Sequence, residues 1–478
     1  MAQEFDVVIV GGGPGGYAAA LYAAGADLSV AMVELARVGG TCLHQGCIPA
    51  KELLETAAVV RTVAGAGSYG IEVGPPTIDF GASMARKQQV VDGLWKGLEG
   101  LLKRRRITIV AGTGTLAGPG RVQVHTGGAD GEGGDGEGGD GEGQVLEAAH
   151  VILAPGSVPR TLPGFEIDGR FVLSSDEVLA MSDLPASAAV IGGGAIGCEF
   201  ASMLADLGVK VTLLEGLPKI LPLCDTDVAA VVRRHFEKRG IDVRTGVEVL
   251  GHTPGSDTTV VELGGGESVE VERIVVSVGR RPRSETLALD GTGVEVDERG
   301  FIKVDQTGRT TLEGVWAVGD VVATPQLAHV GFAEAIVAVQ DLLGEHPLPV
   351  QYDKVPWCIY CHPEVAFAGH SEESAREAGL DVVVSSHHYR GNGRALILGE
   401  PEGLVKVVAL RGPDGRAGQI VGVHMVGPWV TEQLGQGYLA VNWEATVDEV
   451  ASLVQPHPTL SETFGEAVMA LTGRGLHG

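Results

Sequence analysis

Cysteine is scarce in this sequence, with 6 residues in 478. Secreted proteins that depend on disulfides for their stability are short and rich in cysteine, so a scaffold of that kind is excluded. The few cysteines of a long chain are instead candidates for redox chemistry in a reducing compartment. We therefore expect a cytoplasmic protein, and we examine the local sequence around each cysteine.

Long apolar runs and positive charge are also lacking. No stretch reaches the roughly 18 uninterrupted apolar residues that a membrane span needs. The N-terminus has no basic flank followed by an apolar run, so we expect neither a signal peptide nor a transit peptide. The formal net charge is −26, and nucleic acids and anionic membranes repel so acidic a chain. We expect no nucleic-acid partner, no membrane partner and no metal.

One segment is unsuited to folding. Residues 127–143 repeat glycine with aspartate and glutamate and contain 6 acidic residues. Such a composition cannot bury enough apolar surface to offset the entropy of ordering, so we expect a flexible loop. The carboxylates could also bind calcium, but the longer nonapeptide pattern of calcium-binding β-helices is missing.

Hydrophobic residues make up 44% of the chain, which allows several cores. At roughly 100 to 200 residues per domain, the length predicts three or four domains. Two segments have the order of a dinucleotide-binding unit, which is strand, glycine turn, helix and strand. The first begins at residue 6 and ends at Glu34, and the second begins at residue 188 and ends at Glu215.

The glycine turns are expected to bind pyrophosphate, because glycine allows close approach to the N-terminus of the following helix. Glu34 and Glu215 can each accept a hydrogen bond from a ribose hydroxyl. Glu215 would also repel the 2′-phosphate of NADP, which favours NAD. Glycine clusters that serve only helix packing are the alternative. The expected contact residues are Gly11, Gly13, Pro14 and Gly16 in the first turn and Gly192, Gly194, Ala195, Ile196 and Gly197 in the second.

Two cysteines lie close together in the segment GGTCLHQGCIPAK, residues 39–51. In a continuous helix the Cα atoms of Cys42 and Cys47 would be roughly 8 to 9 Å apart. A disulfide needs less than about 7 Å, so bonding requires a broken helix, which Gly46 and Pro49 allow. A helix N-terminus and a lysine one turn further on favour a thiolate. A pair of buried structural cysteines is the alternative interpretation.

This segment, placed after an FAD-type glycine turn, resembles the pyridine nucleotide-disulfide oxidoreductases, and the resemblance extends over essentially the whole chain. It implies FAD at the first turn, NAD at the second and a redox disulfide between Cys42 and Cys47. It further implies that Cys47 lies against the flavin, whereas Cys42 exchanges with the substrate. Lys51 is implied to lie by the isoalloxazine and to pair with Glu199 on the helix of the NAD domain.

Later motifs extend the resemblance. Residues 316–320 (WAVGD) resemble the second FAD motif, in which Asp320 reaches the ribityl chain. Residues 326–329 (QLAH) resemble the segment that covers the pyrimidine edge of the flavin. The other positions expected to contact the two cofactors are Gly40, Thr41, Gly114, Gly156, Ser157, Val247, Gly279, Leu327, Ala328 and His329.

The segment HPTLSE, residues 457–462, resembles the His–Glu base of the family. In such a pair the imidazole of His457 takes a thiol proton and the carboxylate of Glu462 orients the ring. The family places this pair in the partner subunit's active site, so the resemblance implies a homodimer. The bond between His457 and Pro458 is a candidate for the cis form.

The predicted fold class is α/β, with two Rossmann-like dinucleotide-binding domains and a C-terminal α+β dimerisation domain. We expect an FAD-binding domain at 1–152, an NAD-binding domain at 153–282, the second part of the FAD-binding and central region at 283–350, and dimerisation at 351–478. Alternating apolar stretches beyond residue 352 predict an antiparallel sheet in the last domain.

The other cysteines are predicted to be structural. Cys361 stands where relatives commonly have threonine and forms a C-x-x-C pair with Cys358. No second pair completes a zinc site, and the segment is predicted to be a strand that continues through Cys361, in which the two side chains would face opposite ways. Redox or metal chemistry is the alternative. Cys198 and Cys224 have no activating neighbours and are expected to be inert.

The expected activity follows by elimination within the family. Glu215 argues against the NADP-dependent glutathione reductases, and residues 470–478 lack the additional cysteine pair of mercuric reductases. Both redox cysteines are present, unlike in peroxide-reducing relatives and soluble transhydrogenases. We expect NAD-dependent oxidation of dihydrolipoamide, carried on the lipoyl domains of acyltransferase components of 2-oxo acid dehydrogenase complexes. Reduction of another small disulfide by NADH, and a redox-silent flavoprotein scaffold, remain alternatives.

Overall fold

The computed structural model describes residues 3–126 and 143–477. The acidic segment predicted to be a flexible loop therefore lies outside the described residues, except for residue 143. No helix in the described ranges combines the length and the apolar character needed to cross a bilayer. The chain divides into two compact units, of which the first comprises 1–52, 82–160 and 279–352 and the second comprises 53–81, 161–278 and 353–478.

Strands and helices are mixed along the described chain. The strands are β1 (Gln3–Val10), β2 (Val30–Glu34), β3 (Thr108–Ala111), β4 (Thr113–Gly118), β5 (Arg121–His125), β6 (Gln144–Leu153), β7 (Ser157–Pro159), β8 (Val172–Leu173), β9 (Ser187–Ile191), β10 (Lys210–Glu215), β11 (Asp242–Thr245), β12 (Val249–Pro254), β13 (Thr259–Leu263), β14 (Ser268–Val271), β15 (Arg273–Val276), β16 (Arg280–Pro282), β17 (Val315–Ala317), β18 (Trp357–Ile359), β19 (Glu364–Gly369), β20 (Val382–His388), β21 (Leu404–Arg411) and β22 (Ala417–Gly427). The helices are α1 (Pro14–Gly25), α2 (Gly40–His44), α3 (Cys47–Gly65), α4 (Phe80–Arg104), α5 (Ser175–Val178), α6 (Ala195–Asp206), α7 (Thr226–Lys238), α8 (Ala328–Leu342), α9 (Glu372–Glu377), α10 (Gly393–Leu398), α11 (Val430–Asn442), α12 (Val447–Ala451) and α13 (Glu462–Leu471).

The first unit is built on a mixed sheet with the strand order β3-β2-β1-β6-β5-β4, and β17 pairs with β6. Strands β3, β2, β1, β6 and β17 pair with one another in parallel, whereas β5 is antiparallel to both β6 and β4. Val7 and Ile9 of β1 pack in a cluster with α1, α4 and α8, and Val8 and Val10 pack in the cluster on the opposite face. The continuous apolar run of β1 follows because both faces of the strand are covered.

The second unit contains a parallel sheet, β11-β10-β9-β15-β8, and two antiparallel sheets, β12-β13-β14 and β18-β19-β22-β21-β20. Lys406 of β21 is 2% exposed and contacts three carboxylates, those of Asp225 at 3.1 Å, Asp227 at 2.7 Å and Glu372 at 2.8 Å. A buried charge is tolerated when it is paired in this way. The cluster joins α7 to the C-terminal antiparallel sheet inside this unit.

The predicted fold class is confirmed. Two βαβ units, β1-α1-β2 and β9-α6-β10, end at Glu34 and Glu215 as predicted, and the alternating stretches beyond residue 352 form the five-stranded antiparallel sheet. The strand predicted through Cys361 was wrong in its extent, because β18 ends at Ile359. The chain then turns back into β19, and Pro363 in this turn has no N–H group to donate to a sheet.

Candidate active site

The two cysteines of the redox segment lie on either side of a break between two helices. Cys42 belongs to α2 and Cys47 is the first residue of α3. Between them Gln45 has non-helical angles, φ −137° and ψ 17°. A Cβ atom on Gly46 would lie 3.0 Å from the carbonyl oxygen of Thr41, so glycine permits the close approach of the two helix ends. The interruption required by the spacing of the cysteines is therefore present.

The structure shows the two side chains as thiols joined by a side-chain hydrogen bond. The hydrogen bond with Cys47 raises the pKa of the Cys42 thiol, burial raises it further, and the positive charge of Lys51 opposes both effects. Cys47 stands at the N-terminus of a 19-residue helix, where the helix dipole favours negative charge. The geometry is that of a dithiol whose two sulfurs are close enough to interact.

Backbone contacts fix the redox segment against the first glycine turn. The amide of Gly39 donates a hydrogen bond to the carbonyl oxygen of Gly12 at 2.8 Å. Gly40 has φ +57°, and a Cβ atom on it would lie 2.6 Å from the Cα atom of Gly13. Only glycine allows this approach. A cofactor held by the first turn would therefore lie beside the segment that carries Cys42.

The two glycine turns have the same internal geometry. A Cβ atom on Gly16 or on Gly197, the third glycine of each turn, would lie 1.8 Å from the carbonyl oxygen of the first. Gly13 and Gly194 cap α1 and α6 without a side-chain hydrogen bond. Within the described residues the first amides of both helices therefore have no capping side chain, which leaves them available to bind a pyrophosphate. The residues present fit FAD at one turn and NAD at the other.

The acidic residue that ends each βαβ unit also accepts hydrogen bonds from the backbone of the glycine turn in that unit. Glu34 accepts hydrogen bonds from the amides of Gly12 at 2.6 Å and Ala36 at 2.9 Å. Glu215 repeats this arrangement, with the amide of Gly193 at 2.6 Å. A carboxylate has about four acceptor positions, so it can hold the turn and accept from a ribose hydroxyl at the same time. Sequence reasoning predicted only the second of these roles.

Asp320 lies in a 3₁₀ turn, Gly319–Val321, and two segments hold it. The hydroxyl of Ser157 donates to Oδ2 of Asp320 at 2.5 Å, and Nε of Arg280 donates to the same hydroxyl at 2.7 Å. The amide of Gly319 donates to Oε2 of Glu334 at 2.6 Å. Sequence reasoning found Ser157 and Asp320 but missed Arg280 and Glu334. Glu334 is a carboxylate on the buried face of α8, and that position was a signal that could have identified it.

The remaining predicted cofactor positions are distributed between the two units. Leu327 is the N-cap of α8 and Ala328 its first residue, followed by His329. The predicted positions in the first unit include Thr41 in α2, Gly114 in β4, Gly156 with φ +76° and Gly279 with φ +104°. Those in the second unit include Ala195 and Ile196 at the start of α6 and Val247, whose amide donates to the carbonyl oxygen of Glu215 at 3.1 Å.

His457 and Glu462 form a hydrogen-bonded pair in the second unit. Nδ1 of His457 lies 2.8 Å from Oε1 of Glu462, and Oε2 accepts from the amide of Thr459 at 2.8 Å. Partial burial tends to raise the pKa of Glu462, but the hydrogen bonds from Thr459 and His457 lower it on balance. The His457 side chain is 77% exposed. The bond to Pro458 is cis, as predicted.

The predicted catalytic residues do not all belong to one unit. Cys42, Cys47 and Lys51 belong to the first, whereas Glu199 belongs with His457 and Glu462 to the second. Glu199 is 5% exposed and its Oε1 accepts from the amide of Tyr360 at 2.8 Å. The pairing of Lys51 with Glu199 therefore stays a prediction, as does the placement of the His–Glu pair in a partner's site.

Comparison with known proteins gives the family. Residues 5–335 match the pyridine nucleotide-disulphide oxidoreductase family, and residues 355–468 match its dimerisation domain. The chain belongs to the pyridine nucleotide-disulphide oxidoreductases. A dihydrolipoyl dehydrogenase of Bacillus subtilis is 42% identical, and one of Zymomonas mobilis is 38% identical; each match covers 100% of both chains. The crystal structure of LpdA from Mycobacterium tuberculosis has a TM-score of 0.88 at 26% identity and covers 98% of this chain and 100% of that one.

Membership of the pyridine nucleotide-disulphide oxidoreductases confirms the predicted enzyme class, an oxidoreductase, and the predicted cofactors FAD and NAD. The matched dimerisation domain supports the predicted homodimer. Within the described residues, no group of three or more histidine, cysteine or acidic side chains is arranged to hold a metal ion.

The other cysteines of this oxidoreductase were predicted to be structural, and three of them, Cys198, Cys224 and Cys361, are buried. Cys361 is fully buried and its thiol donates to the carbonyl oxygen of Pro363 at 3.2 Å, while Cys358 lies 3.9 Å from that of Thr431. Burial raises the pKa of Cys361 and Cys198 well above the ordinary thiol value, and it raises that of Cys224 to about 12. A thiol kept protonated is a poor nucleophile.

Proposed function

We propose that this chain is an FAD-dependent dihydrolipoyl dehydrogenase, which oxidises dihydrolipoamide to lipoamide and reduces NAD⁺. One observation carries the proposal: the segment with Cys42 and Cys47 is bonded through Gly39 to the backbone of the glycine turn expected to bind FAD. Relatives named dihydrolipoyl dehydrogenase match over the full length of the chain at 42% and 38% identity, which supports the choice of substrate.

The reaction begins with proton transfer to His457. Because Nδ1 is engaged by Glu462, the other ring nitrogen, Nε2, takes the proton from one thiol of dihydrolipoamide. The resulting thiolate attacks the sulfur of Cys42 in the oxidised enzyme. A new disulfide forms between substrate and Cys42, the bond between Cys42 and Cys47 breaks, and Cys47 leaves as a thiolate.

The second substrate thiol completes the exchange. It attacks the substrate sulfur of the mixed disulfide, closes the ring of lipoamide and releases Cys42 as a thiol. The substrate has then lost two electrons, and the cysteine pair has gained them. A flavin held by the first glycine turn would supply the chemistry that moves this electron pair from the cysteines to NAD⁺ as a hydride. The N-terminus of α3 favours the negative charge that Cys47 carries at this stage.

The chain's own residues account for the choice of cofactors. FAD would be held by the first glycine turn, Glu34, Asp320 and the N-terminus of α8. NAD would be held by the second turn and Glu215. Glu215 is 9% exposed, so the 2′-phosphate of NADP would meet a carboxylate with little water to screen the repulsion.

The proposal also includes the partners of the chain and its location in the cell. The His457–Glu462 pair would serve the redox cysteines of the partner subunit in a homodimer, which the match to a dimerisation domain supports. The substrate would be carried on lipoyl domains of acyltransferase components, in the cytoplasm. We keep the four-part division at 1–152, 153–282, 283–350 and 351–478 as part of the proposal.

The test is an assay of the purified holoenzyme with free dihydrolipoamide. NAD⁺ should support rapid oxidation and NADP⁺ should be much poorer. A parallel assay should supply NADH with other small disulfides, such as oxidised glutathione. If one of these disulfides is reduced efficiently while dihydrolipoamide is not oxidised, the proposed substrate is wrong. If no thiol or disulfide is turned over although FAD is bound, the enzyme is a redox-silent flavoprotein.

A further inference from the structure

Arg280 is a partly buried cation that the reaction described above does not use. It begins β16, which pairs antiparallel with β7 in the register Arg280 to Pro159 and Pro282 to Ser157. Its side chain is 13% exposed, and its Nε atom lies 3.8 Å from Oδ2 of Asp320. All these residues belong to the first unit. A charge with so little exposure needs hydrogen-bond or ion-pair partners. The partners of Arg280 therefore indicate its role.

Within the described part of the chain, the side chain of Arg280 donates its hydrogen bonds to one residue, Ser157. Nε donates to the hydroxyl oxygen of Ser157 at 2.7 Å, and Nη2 donates to its carbonyl oxygen at 2.8 Å. A guanidinium has donors only, and a serine hydroxyl has a single proton. Because the hydroxyl oxygen accepts from Arg280, its proton is left to be donated to Oδ2 of Asp320 at 2.5 Å. The direction of the chain from Arg280 through Ser157 to Asp320 is thereby fixed.

The same arrangement determines what Asp320 can do. Oδ2 accepts from Ser157, and Nε of Arg280 lies 3.8 Å from the same oxygen. Oδ1 receives no hydrogen bond from any residue of the described ranges. The backbone of the turn is held separately, since the amide of Gly319 donates to Glu334. Asp320 is thus fixed in position with one oxygen oriented to accept from a hydroxyl group.

We propose that Arg280 is a positioning residue for FAD, acting through the hydroxyl of Ser157 to hold Asp320 so that its second oxygen accepts from a ribityl hydroxyl. The proposal rests on the binding of FAD at this site, which is part of the proposed function. It does not depend on which disulfide is the substrate. An arginine is suited to the role because its planar fork reaches the hydroxyl and the carbonyl oxygen of one serine together, which a lysine cannot do.

The experiment measures how fast FAD leaves the diluted holoenzyme, followed by the rise in flavin fluorescence. Arg280→Met should release FAD roughly 10- to 100-fold faster, the range expected for losing hydrogen bonds to a charged group. Arg280→Lys should recover only part of the loss. Arg281→Met is the matched control, because the neighbouring Arg281 is 56% exposed and pairs with Glu285 at 2.6 Å. Its release rate should stay within about twofold of the unaltered enzyme.

A purely structural role for Arg280 gives a different result in a double-mutant cycle. If Arg280 acts through the Ser157 hydroxyl, Arg280→Met added to Ser157→Ala should accelerate release by less than about threefold. Full additivity of the two changes, or release from Arg280→Met at the unaltered rate, would overturn the proposal. If Arg280→Met does not fold, the same double-mutant cycle is measured with Arg280→Lys in place of Arg280→Met. Failure of the unaltered chain to bind FAD would instead reject the proposed function.

Discussion

The ring nitrogen Nδ1 of His457 lies 2.8 Å from Oε1 of Glu462. The second oxygen of Glu462 accepts from the amide of Thr459, so the carboxylate cannot rotate without losing a backbone hydrogen bond. The imidazole is therefore held in one orientation and one tautomer, with Nε2 left for proton transfer. The same chain contains a second pair of this kind, His477 and Glu466, also at 2.8 Å.

Substitutions in these two pairs test the base. His457→Gln should lower kcat for dihydrolipoamide oxidation by roughly 10²- to 10⁴-fold, the usual contribution of a general base. Glu462→Gln should lower it less, because the imidazole remains and only its orientation is weakened. His477→Gln is the control, since His477 is 72% exposed and similarly bonded. Equal kcat values for His457→Gln and His477→Gln would show that His457 is not the general base.

A prediction on pH concerns two partly buried histidines of the second unit. Burial lowers the pKa of His362 to about 2 and that of His235 to about 4. Below pH ~6.5 the unfolded chain binds protons at these positions that the folded chain does not bind, so stability falls as the pH decreases from about 6.5 towards 4. The thermal midpoint of unfolding should decrease over this range, and less steeply in His362→Gln. An unchanged slope in His362→Gln, equal to that of His477→Gln, would contradict the account.

The two turn-holding glutamates should have separable effects. Glu34→Gln removes a charged acceptor beside the FAD turn, so FAD should bind roughly 10-fold more weakly while the KM for NAD⁺ is unchanged. Glu215→Gln should raise the KM for NAD⁺ by a similar factor and improve the ratio of NADP⁺ to NAD⁺ activity, with FAD binding unaffected. Each variant is the control for the other. If either variant weakened both FAD binding and NAD⁺ binding, the assignment of the two sites would be wrong.

Gly40 tests the contact between the redox segment and the first turn. Gly40→Ala places a Cβ atom 2.6 Å from the Cα atom of Gly13 at a positive φ, so it should separate the two segments. The flavin content of the purified enzyme should fall, and activity should fall with it. Gly93→Ala is the control, because Gly93 lies in α4 with no atom within 4 Å of an added Cβ. Full flavin content in Gly40→Ala would show that the contact is not needed.

Local patterns in the sequence predicted a large part of the fold. Strand β1, the glycine turn and α1 were predicted from contiguous residues, and Glu34 at the end of β2 was predicted in the same way. The same holds for β9, α6 and Glu215. The break between Cys42 and Cys47 also followed from spacing, because an unbroken helix would separate the sulfurs.

Features assembled from distant segments were not predictable in this way. Arg280 and Ser157 are 123 positions apart in the sequence, and Ser157 and Asp320 are 163 positions apart. No periodic pattern of the sequence connects positions so distant. The turn-holding role of Glu34 depends on where its side chain lies relative to an amide, which composition does not encode. The extent of β18 was overestimated because apolar residues continue into a turn that Pro363 prevents from pairing in a sheet.

The central claim is that Cys42 and Cys47 form the redox disulfide, and counting thiols tests it most directly. The oxidised holoenzyme, denatured without reductant, should show two thiols fewer than the 6 cysteines of the sequence, and anaerobic treatment with dihydrolipoamide should restore both. In Cys47→Ser this treatment should change nothing, whereas Cys358→Ser should still gain two. All cysteines reacting before treatment, or an unchanged gain in Cys47→Ser, would contradict the account.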